Sequence, residues 1–551
     1  MARTAMSSPG ETDMSVNSNR NIWLIGILWL AVIGVALAVR PPLPVDETRY
    51  LAVAWDMWLE GNYLVPHLHG EPYSHKPPLL FWLMTAGWHV FGVNDWWPRL
   101  VAPLFGLGCL VVTFRLARVL WPDKAETAGL APVLLFGAIF WMVFGTLTMF
   151  DMLLAFFAVL AVLGLVDAGR RGGCRGFILA GVAIGFGVLA KGPAILLHVL
   201  PLALVAPWWV SNLQTVRWYM GLGFAVALGI TIGLAWAIPA GMAGGEAYRD
   251  AIFWGQSANR MVKSFAHSRP FWWYALVLPA LVLPWLVWPP LWRAARRLGD
   301  VRGDAGIRLC LAWFAFAFVA FSLISGKQLH YLLPEFPALA LIAARMLAEM
   351  DEADAMPAAI DRWLPSGLAM LIGGLLMFAP YLPLSARVAS QLGETAPAWG
   401  GLIVIAGVLV LLSRDAVQAN QAIRLATISA FVVMAVYLAA APVLAKRYDL
   451  RVMAGHLAAL EDDGKAIAYF GKYHGQFHFL GRLKRPMTMI GLLGDDEARF
   501  LAAHPDGVVI AKYDNLPNKA APLFSYPYRN YIYAVWPAAA LVAYPGLGDR
   551  R

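Results

Sequence analysis

The chain predicts a polytopic α-helical membrane protein with a small C-terminal α/β unit, and three observations carry that expectation. Of its 551 residues, 60% are hydrophobic and only 14% charged, where an ordinary soluble domain carries about a quarter charged residues. Apolar runs of membrane-crossing length recur from Ile22 to about residue 444. From about Lys446 the composition becomes that of a soluble domain.

The first apolar run, Ile22 to Val39, follows a polar segment, 1–21, that carries Arg3 and Arg20. Ala36-Leu37-Ala38 has the small-residue pattern of a cleavage site, so a secretory signal peptide is a rival reading. The run is longer than the apolar core of about 7–15 residues that such signals carry, which favours an uncleaved helix and a cytoplasmic N-terminal tail over 1–21. Residues 40–97 are richer in proline and polar groups and read as a first external loop. Within it, Tyr50, Leu51, Ala54, Met57 and Trp58 share one side of a helix over Asp46–Glu60, as in an amphipathic helix lying along a membrane.

Further apolar runs occupy 98–119, 127–148, 152–168, 176–190, 193–210, 218–239, 271–292, 307–324, 332–348, 364–383, 399–413 and 424–444. With the first run they make about 13 transmembrane helices within 22–445, with a second external loop at 240–270. The odd count puts the termini on opposite sides. Basic loops around Arg115/Arg118/Lys124, Arg170/Arg171/Arg175, Arg293/Arg296/Arg297/Arg302, Arg345/Arg362 and Arg414/Arg424 fall on one side, which the positive-inside bias assigns to the cytoplasm. Residues 446–551 are then periplasmic. There, Leu450–Leu460 and Asp495–Ala503 read as helices, and Lys465–Phe470 and Gly507–Lys512 as strands, of a small α/β domain.

The net charge of +9 sits largely in those short loops, so it argues for membrane topology and against nucleic-acid binding. Cys109, Cys174 and Cys310 have no metal-ligand spacing and imply no disulfide framework. A few charges run against the topological bias or interrupt apolar segments on the external side: Asp46 and Glu47, Lys76, Asp151, Lys191, Arg260, Lys263, Arg269 and Lys327. Isolated loop charges are usually solvated and idle, and that reading suits Lys263 or Arg269. Ionisable groups at a membrane edge are costly, however, and the rest point to one polar cavity. Lysine binds phosphate well, whereas carboxylates repel it and suit carbon that turns cationic in a transition state. A sugar on a lipid phosphate satisfies both ends, because breaking that bond builds positive charge on the ring and negative charge on the leaving phosphate.

Several blocks carry a family resemblance: Asp46-Glu47-Thr48-Arg49-Tyr50, Trp58 to Gly61, Pro66-His67-Leu68-His69-Gly70-Glu71-Pro72-Tyr73 and Lys76-Pro77-Pro78-Leu79-Leu80-Phe81-Trp82. Thr148-Met149-Phe150-Asp151, Ala190-Lys191-Gly192-Pro193 and Lys327-Gln328-Leu329-His330-Tyr331-Leu332-Leu333-Pro334 add to it. Together they resemble the membrane-embedded GT-C glycosyltransferases that use polyprenyl-phosphate sugars, most of all the bacterial lipid A aminoarabinose transferases. The resemblance spans nearly the whole chain and is more specific for the superfamily than for the sugar.

It implies a multi-pass bacterial inner-membrane enzyme, a monomer, that moves 4-amino-4-deoxy-L-arabinose from undecaprenyl phosphate to lipid A phosphates at the periplasmic face with inversion. The modification lowers lipid A's negative charge, which is the basis of polymyxin resistance. By the same resemblance Asp46, Glu47 and Asp151 are catalytic, and Lys76 holds the lipid phosphate with help from Lys191, Arg260 and Tyr331. Arg49, His267, Lys327 and His330 are further substrate contacts, the two histidines being more readily structural. Relatives often carry glutamate before the lysine, where this chain has His75. No cofactor is required by the chemistry; a divalent metal on His67, His69, Glu71 and His75 is a weak candidate, since their spacing fits no compact zinc signature. The rivals are a protein O-mannosyltransferase or another sugar transferase of the same superfamily, a lipid or sugar flippase, and a receptor-like scaffold. A flippase is disfavoured because no internal repeat is visible and the unusual charges lie at one surface.

Overall fold

The structure is a computed structural model that describes residues 9–255, 268–296, 299, 303–351, 356–383, 385–413, 418–492, 494–518 and 520–547. The first helix, α1 (Pro9–Val39), already covers most of the segment read as an N-terminal tail. After a proline-rich corner come α2 (Asp46–Glu60), a two-stranded hairpin of β1 (His67–Leu68) and β2 (Glu71–Pro72), and α3 (Leu79–Phe91). The segment 40–97 is thus two helices and a hairpin. The apolar α3 within it was not expected.

The bundle continues with α4 (Trp96–Leu120), α5 (Ala125–Gly137), α6 (Ile139–Gly145), α7 (Phe150–Arg171), α8 (Cys174–Lys191), α9 (Ala194–Leu204) and α10 (Thr215–Ala243). Every apolar run of the sequence carries helix. Among the described residues, however, only seven helical stretches are long and apolar enough to cross a bilayer alone, or eight if α5 and α6, bent by 68°, form one span. The remaining runs are short or broken, as at Trp273–Leu281 and Pro289–Ala295, where proline removes backbone donors.

Helix α7 is the hub: 72% of its apolar window is buried, against 22% for α10. Gly164 and Gly176 let α7 and α8 meet backbone to backbone, since a Cβ on Gly176 would lie 2.4 Å from the Gly164 carbonyl oxygen. Val216, Met220, Phe224, Ile230 and Ile238 leave α10 with a broad exposed apolar surface. A helix that is apolar all round and buried on one side only is covered by lipid on the other.

Residues 451–543 fold as a five-stranded sheet with flanking helices. Its strand order is β4-β3-β5-β7-β6, from β3 (Ile467–Phe470), β4 (Thr488–Ile490), β5 (Val508–Tyr513), β6 (Phe524–Tyr528) and β7 (Tyr531–Pro537). Strands β4, β3 and β5 are parallel, and β7 and β6 are added antiparallel. The expected helices and strands are present within a residue or two, while β4, β6 and β7 were not anticipated.

The sheet seats directly on α2. Leu51, Ala52, Val53, Ala54 and Trp55 are all buried, so α2 is not an amphipathic helix with one wet face. Trp55 Nε1 donates to the Leu483 carbonyl at 2.8 Å, and Arg482 reaches Asp95 at 2.8 Å. A Cβ on Gly475 would lie 2.8 Å from Ala52 Cβ.

Candidate active site

Asp46 and Glu47 open α2 side by side and face different surroundings. Asp46 is exposed and paired with Arg49 one turn on. Glu47 is buried, and both its oxygens are occupied: Arg40 pairs with Oε2, Leu43 N–H donates to Oε2 at 2.7 Å, and Thr148 N–H donates to Oε1 at 2.6 Å. Burial alone would push this carboxyl up, but Arg40 and the two backbone donors outweigh it and hold it below the usual range. The same Arg40 donates to the Thr146 carbonyl at 2.7 Å, and Thr146 Oγ1 meets Tyr437 Oη at 2.7 Å. Glu47 therefore ties the corner before α2 to the loop before α7.

That loop aims Asp151, in the first turn of α7, at a cluster of the predicted residues. Lys191 at the end of α8 pairs with Asp151, and His330 Nε2 lies 3.8 Å from its Oδ1. Lys191 Nζ also stands 4.9 Å from the centre of the Tyr331 ring, and Lys76 Nζ 5.6 Å from that of Phe150. The charges of Asp151, Lys191, Lys76 and Asp46 all act on His330, so these groups share one electrostatic environment. Tyr50, Phe81 and Phe150 form its aromatic floor, with Tyr50 edge-on to Phe150 at 4.9 Å. The arrangement has anion-binding lysines, an aromatic wall suited to a sugar or lipid, and carboxylates at two depths.

Other candidates fall elsewhere. Lys327 is buried and donates to the Arg269 carbonyl at 3.1 Å, capping backbone rather than entering the cluster. His67 pairs with Glu60 at 3.3 Å, His75 stacks on Tyr73 at 5.3 Å, Glu71 is exposed, and His69 is half-buried in the seam beneath the sheet. The four metal candidates point apart, and no group of three metal-binding side chains forms among the described residues. Arg260, Lys263 and His267 lie outside the described residues.

Three contributors escaped the sequence reading. Arg40 was legible as a lone charge at the end of the first apolar run, seven residues before Glu47. Behind Tyr331, the buried hydrogen-bond contact of His198 Nδ1 with Glu335 Oε1 joins α9 to the turn that carries His330 and Tyr331; two isolated polar residues in apolar runs were its only signal. The third is the sheet itself.

In the seam between α2 and the sheet, His69 N–H donates to Asp56 Oδ2 at 2.7 Å, while its ring lies 4.4 Å from both Tyr473 and His478. Burial pushes Asp56 up to about 7, opposed by the His69 backbone N–H and reinforced by the charge of neighbouring Glu60. Burial likewise pulls His69 down to about 2, helped by His478 and His474, and His478 down to about 4.

The sequence pattern of the dolichyl-phosphate-mannose-protein mannosyltransferase family matches residues 75–236, under a third of the chain. The crystal structure of ArnT from Cupriavidus metallidurans bound to undecaprenyl phosphate superposes with a TM-score of 0.70 over 96% of this chain and 99% of that one, at 19% identity. The chain has the GT-C fold. Along the sequence, the undecaprenyl phosphate-α-4-amino-4-deoxy-L-arabinose arabinosyl transferase of Enterobacter sp. (strain 638) is 30% identical over 347 residues, 61% of each chain. The transferase of the same description from Pseudomonas paraeruginosa is 31% identical over 337 residues, 59% of each. The alignment thus spans about three fifths of the length of these curated relatives. The GT-C fold accounts for the layout here: the ends of several helices and the α1–α2 corner converge under the C-terminal sheet.

Proposed function

We propose that the chain is a glycosyltransferase that moves 4-amino-4-deoxy-L-arabinose from undecaprenyl phosphate to lipid A phosphates at the periplasmic face of the bacterial inner membrane. The observation that carries this reading is the Asp46, Asp151, Lys191, Lys76 and His330 constellation, gathered at one end of a lipid-facing bundle. Relatives named for this activity support the choice of sugar and donor. About 13 spans, a periplasmic domain over 446–551 and a monomeric state complete the proposal.

In the proposed reaction Lys76, with Lys191 and Tyr331 behind it, holds the donor phosphate. An acceptor phosphate oxygen forms the new bond to the anomeric carbon as the bond from that carbon to the undecaprenyl phosphate oxygen breaks. The leaving oxygen keeps the electron pair, and the configuration inverts. The acceptor is already an anion, so proton abstraction is barely needed. Asp46 acts on the cationic ring and its ammonium group by electrostatics, Asp151 fixes Lys191, and Glu47 positions the α2 corner.

Mass spectrometry of lipid A from cells lacking their own aminoarabinose transferase, with and without this protein, tests the reading. The expected result is an increment of one aminoarabinose that disappears in Asp46→Asn at equal membrane abundance. No increment despite verified donor supply and insertion would return the decision to other polyprenyl-phosphate sugar transferases, the protein O-mannosyltransferase first among them.

A further inference from the structure

The C-terminal sheet carries positive charge where a ligand is expected. Strand β3 connects onward to β4 on one side, while β5 connects to β6 and β7 on the other. The edge beyond the carboxyl ends of β3 and β5 is therefore a topological switch point, the place where open α/β sheets bind ligands. Lys472 and His474 lie in the loop leaving β3, and Lys512 stands at the end of β5.

This edge faces α2. Gly475 packs on Ala52 and Leu68, and Arg529, in the turn between β6 and β7, donates to the Pro44 carbonyl. Gly475 directly follows His474 and seats on Ala52, three residues along α2 from Arg49, which pairs with Asp46, so the basic edge meets the start of α2. The loop holding the first two is rigid: Gly471 N–H donates to the Ile490 carbonyl at 2.7 Å, Phe477 N–H to Tyr473 Oη at 3.0 Å, and Gln476 Nε2 to Tyr533 Oη at 3.2 Å. Lys472 is exposed, His474 half-buried, and Lys512 lies 4.3 Å from the centre of the Tyr531 ring.

We propose that this edge, with Lys472, His474 and Lys512 on the sheet and Arg49 on α2, is the binding site for the acceptor's phosphate group. It rests on the transferase reading and adds what that reading lacks, a second anion site separate from the donor site at Lys76 and Lys191. Two anions must approach one anomeric carbon from opposite sides, and one cationic patch serving both would bring their charges together. Placing donor cations on the helical bundle and acceptor cations on the sheet keeps them apart, with Asp46 between.

The test is steady-state transfer by the purified full-length protein from undecaprenyl phosphate-aminoarabinose to lipid A, alongside its binding to vesicles with and without lipid A. The double variant K472A/K512A should raise the acceptor KM by roughly tenfold, the weight of about one charge-assisted hydrogen bond. Donor KM should stay within twofold, and K472R/K512R should restore the acceptor KM. The double variant should also lose the preference for lipid A vesicles. An unchanged acceptor KM and unchanged vesicle preference overturn the proposal, as does an equal rise in donor KM. If the wild type transfers no aminoarabinose but binds lipid A vesicles through these lysines, the acceptor site stands and the sugar assignment falls.

Discussion

Asp46 and Glu47 differ by one position and by nearly everything else. Glu47 is locked to Arg40 and two backbone donors, so removing it leaves a buried guanidinium without its counter-charge. Losing one member of a buried pair costs about 3–5 kcal/mol. Glu47→Ala should therefore lower the thermal midpoint of the detergent-solubilised protein together with activity. Lys76, half-buried at the rim, should behave oppositely: Lys76→Ala should reduce transfer by about a hundredfold or more, as for loss of a transition-state charge partner, with the midpoint unchanged. Equal midpoints for the two variants would sink the division between positioning and catalysis. Both residues were legible from their place beside apolar runs. What separates them was not, because the partners of Glu47 at Arg40 and Thr148 come from two other chain segments.

Helix α2 shows why element-level reading stops short. Its 3.6-residue apolar pattern located the helix to the residue, but the pattern cannot reveal that a distant sheet covers the second face. Ala52 lies under Gly475 of the sheet domain, and Trp55 donates to the Leu483 carbonyl there. The seam has a pH signature. His69 and His478, held near 2 and 4, stay neutral when docked but protonate near 6.5 when exposed. Their contribution is full above 6.5 and is lost as pH falls toward 4. Asp56, raised to about 7, works the other way: its contribution is full below about 4 and is lost as pH rises through 7. With two histidines against one aspartate, acidifying from pH 7 to 5 should lower the amide protection factors, that is, exchange rates corrected for their intrinsic pH dependence, in α2 and in residues 471–477. Asp56→Asn removes the opposing group and should steepen that dependence; protection factors that rise at pH 5 would contradict it.

At the scale of the whole molecule, a helical bundle and a sheet that belong to opposite ends of the chain meet at α2. Gly475 sits where they touch, at φ +80 and with a Cβ position 2.8 Å from Ala52 and 3.0 Å from the Leu68 side chain. Gly475→Val is strained on both counts. It should loosen the sheet from α2, seen as faster proteolysis between 447 and 451, and should abolish transfer to lipid A while binding of undecaprenyl phosphate persists. Full transfer by this variant would show that the sheet is dispensable for the reaction.

Composition and apolar periodicity were enough for membrane residence, the position of the apolar helices other than α3 and the α/β character of the C-terminal segment, because burial in lipid and strand or helix periods are local properties of a sequence. The convergence of Asp151, Lys191, Lys76 and His330 was legible through their oddity as charges among apolar neighbours. The pairing of Glu47 with Arg40, the parting of the histidines at 67, 69 and 75, and the basic edge of the sheet over Asp46 came from packing. Each depends on which segments meet in space, and sequence spacing carries no record of contacts between residues hundreds of positions apart.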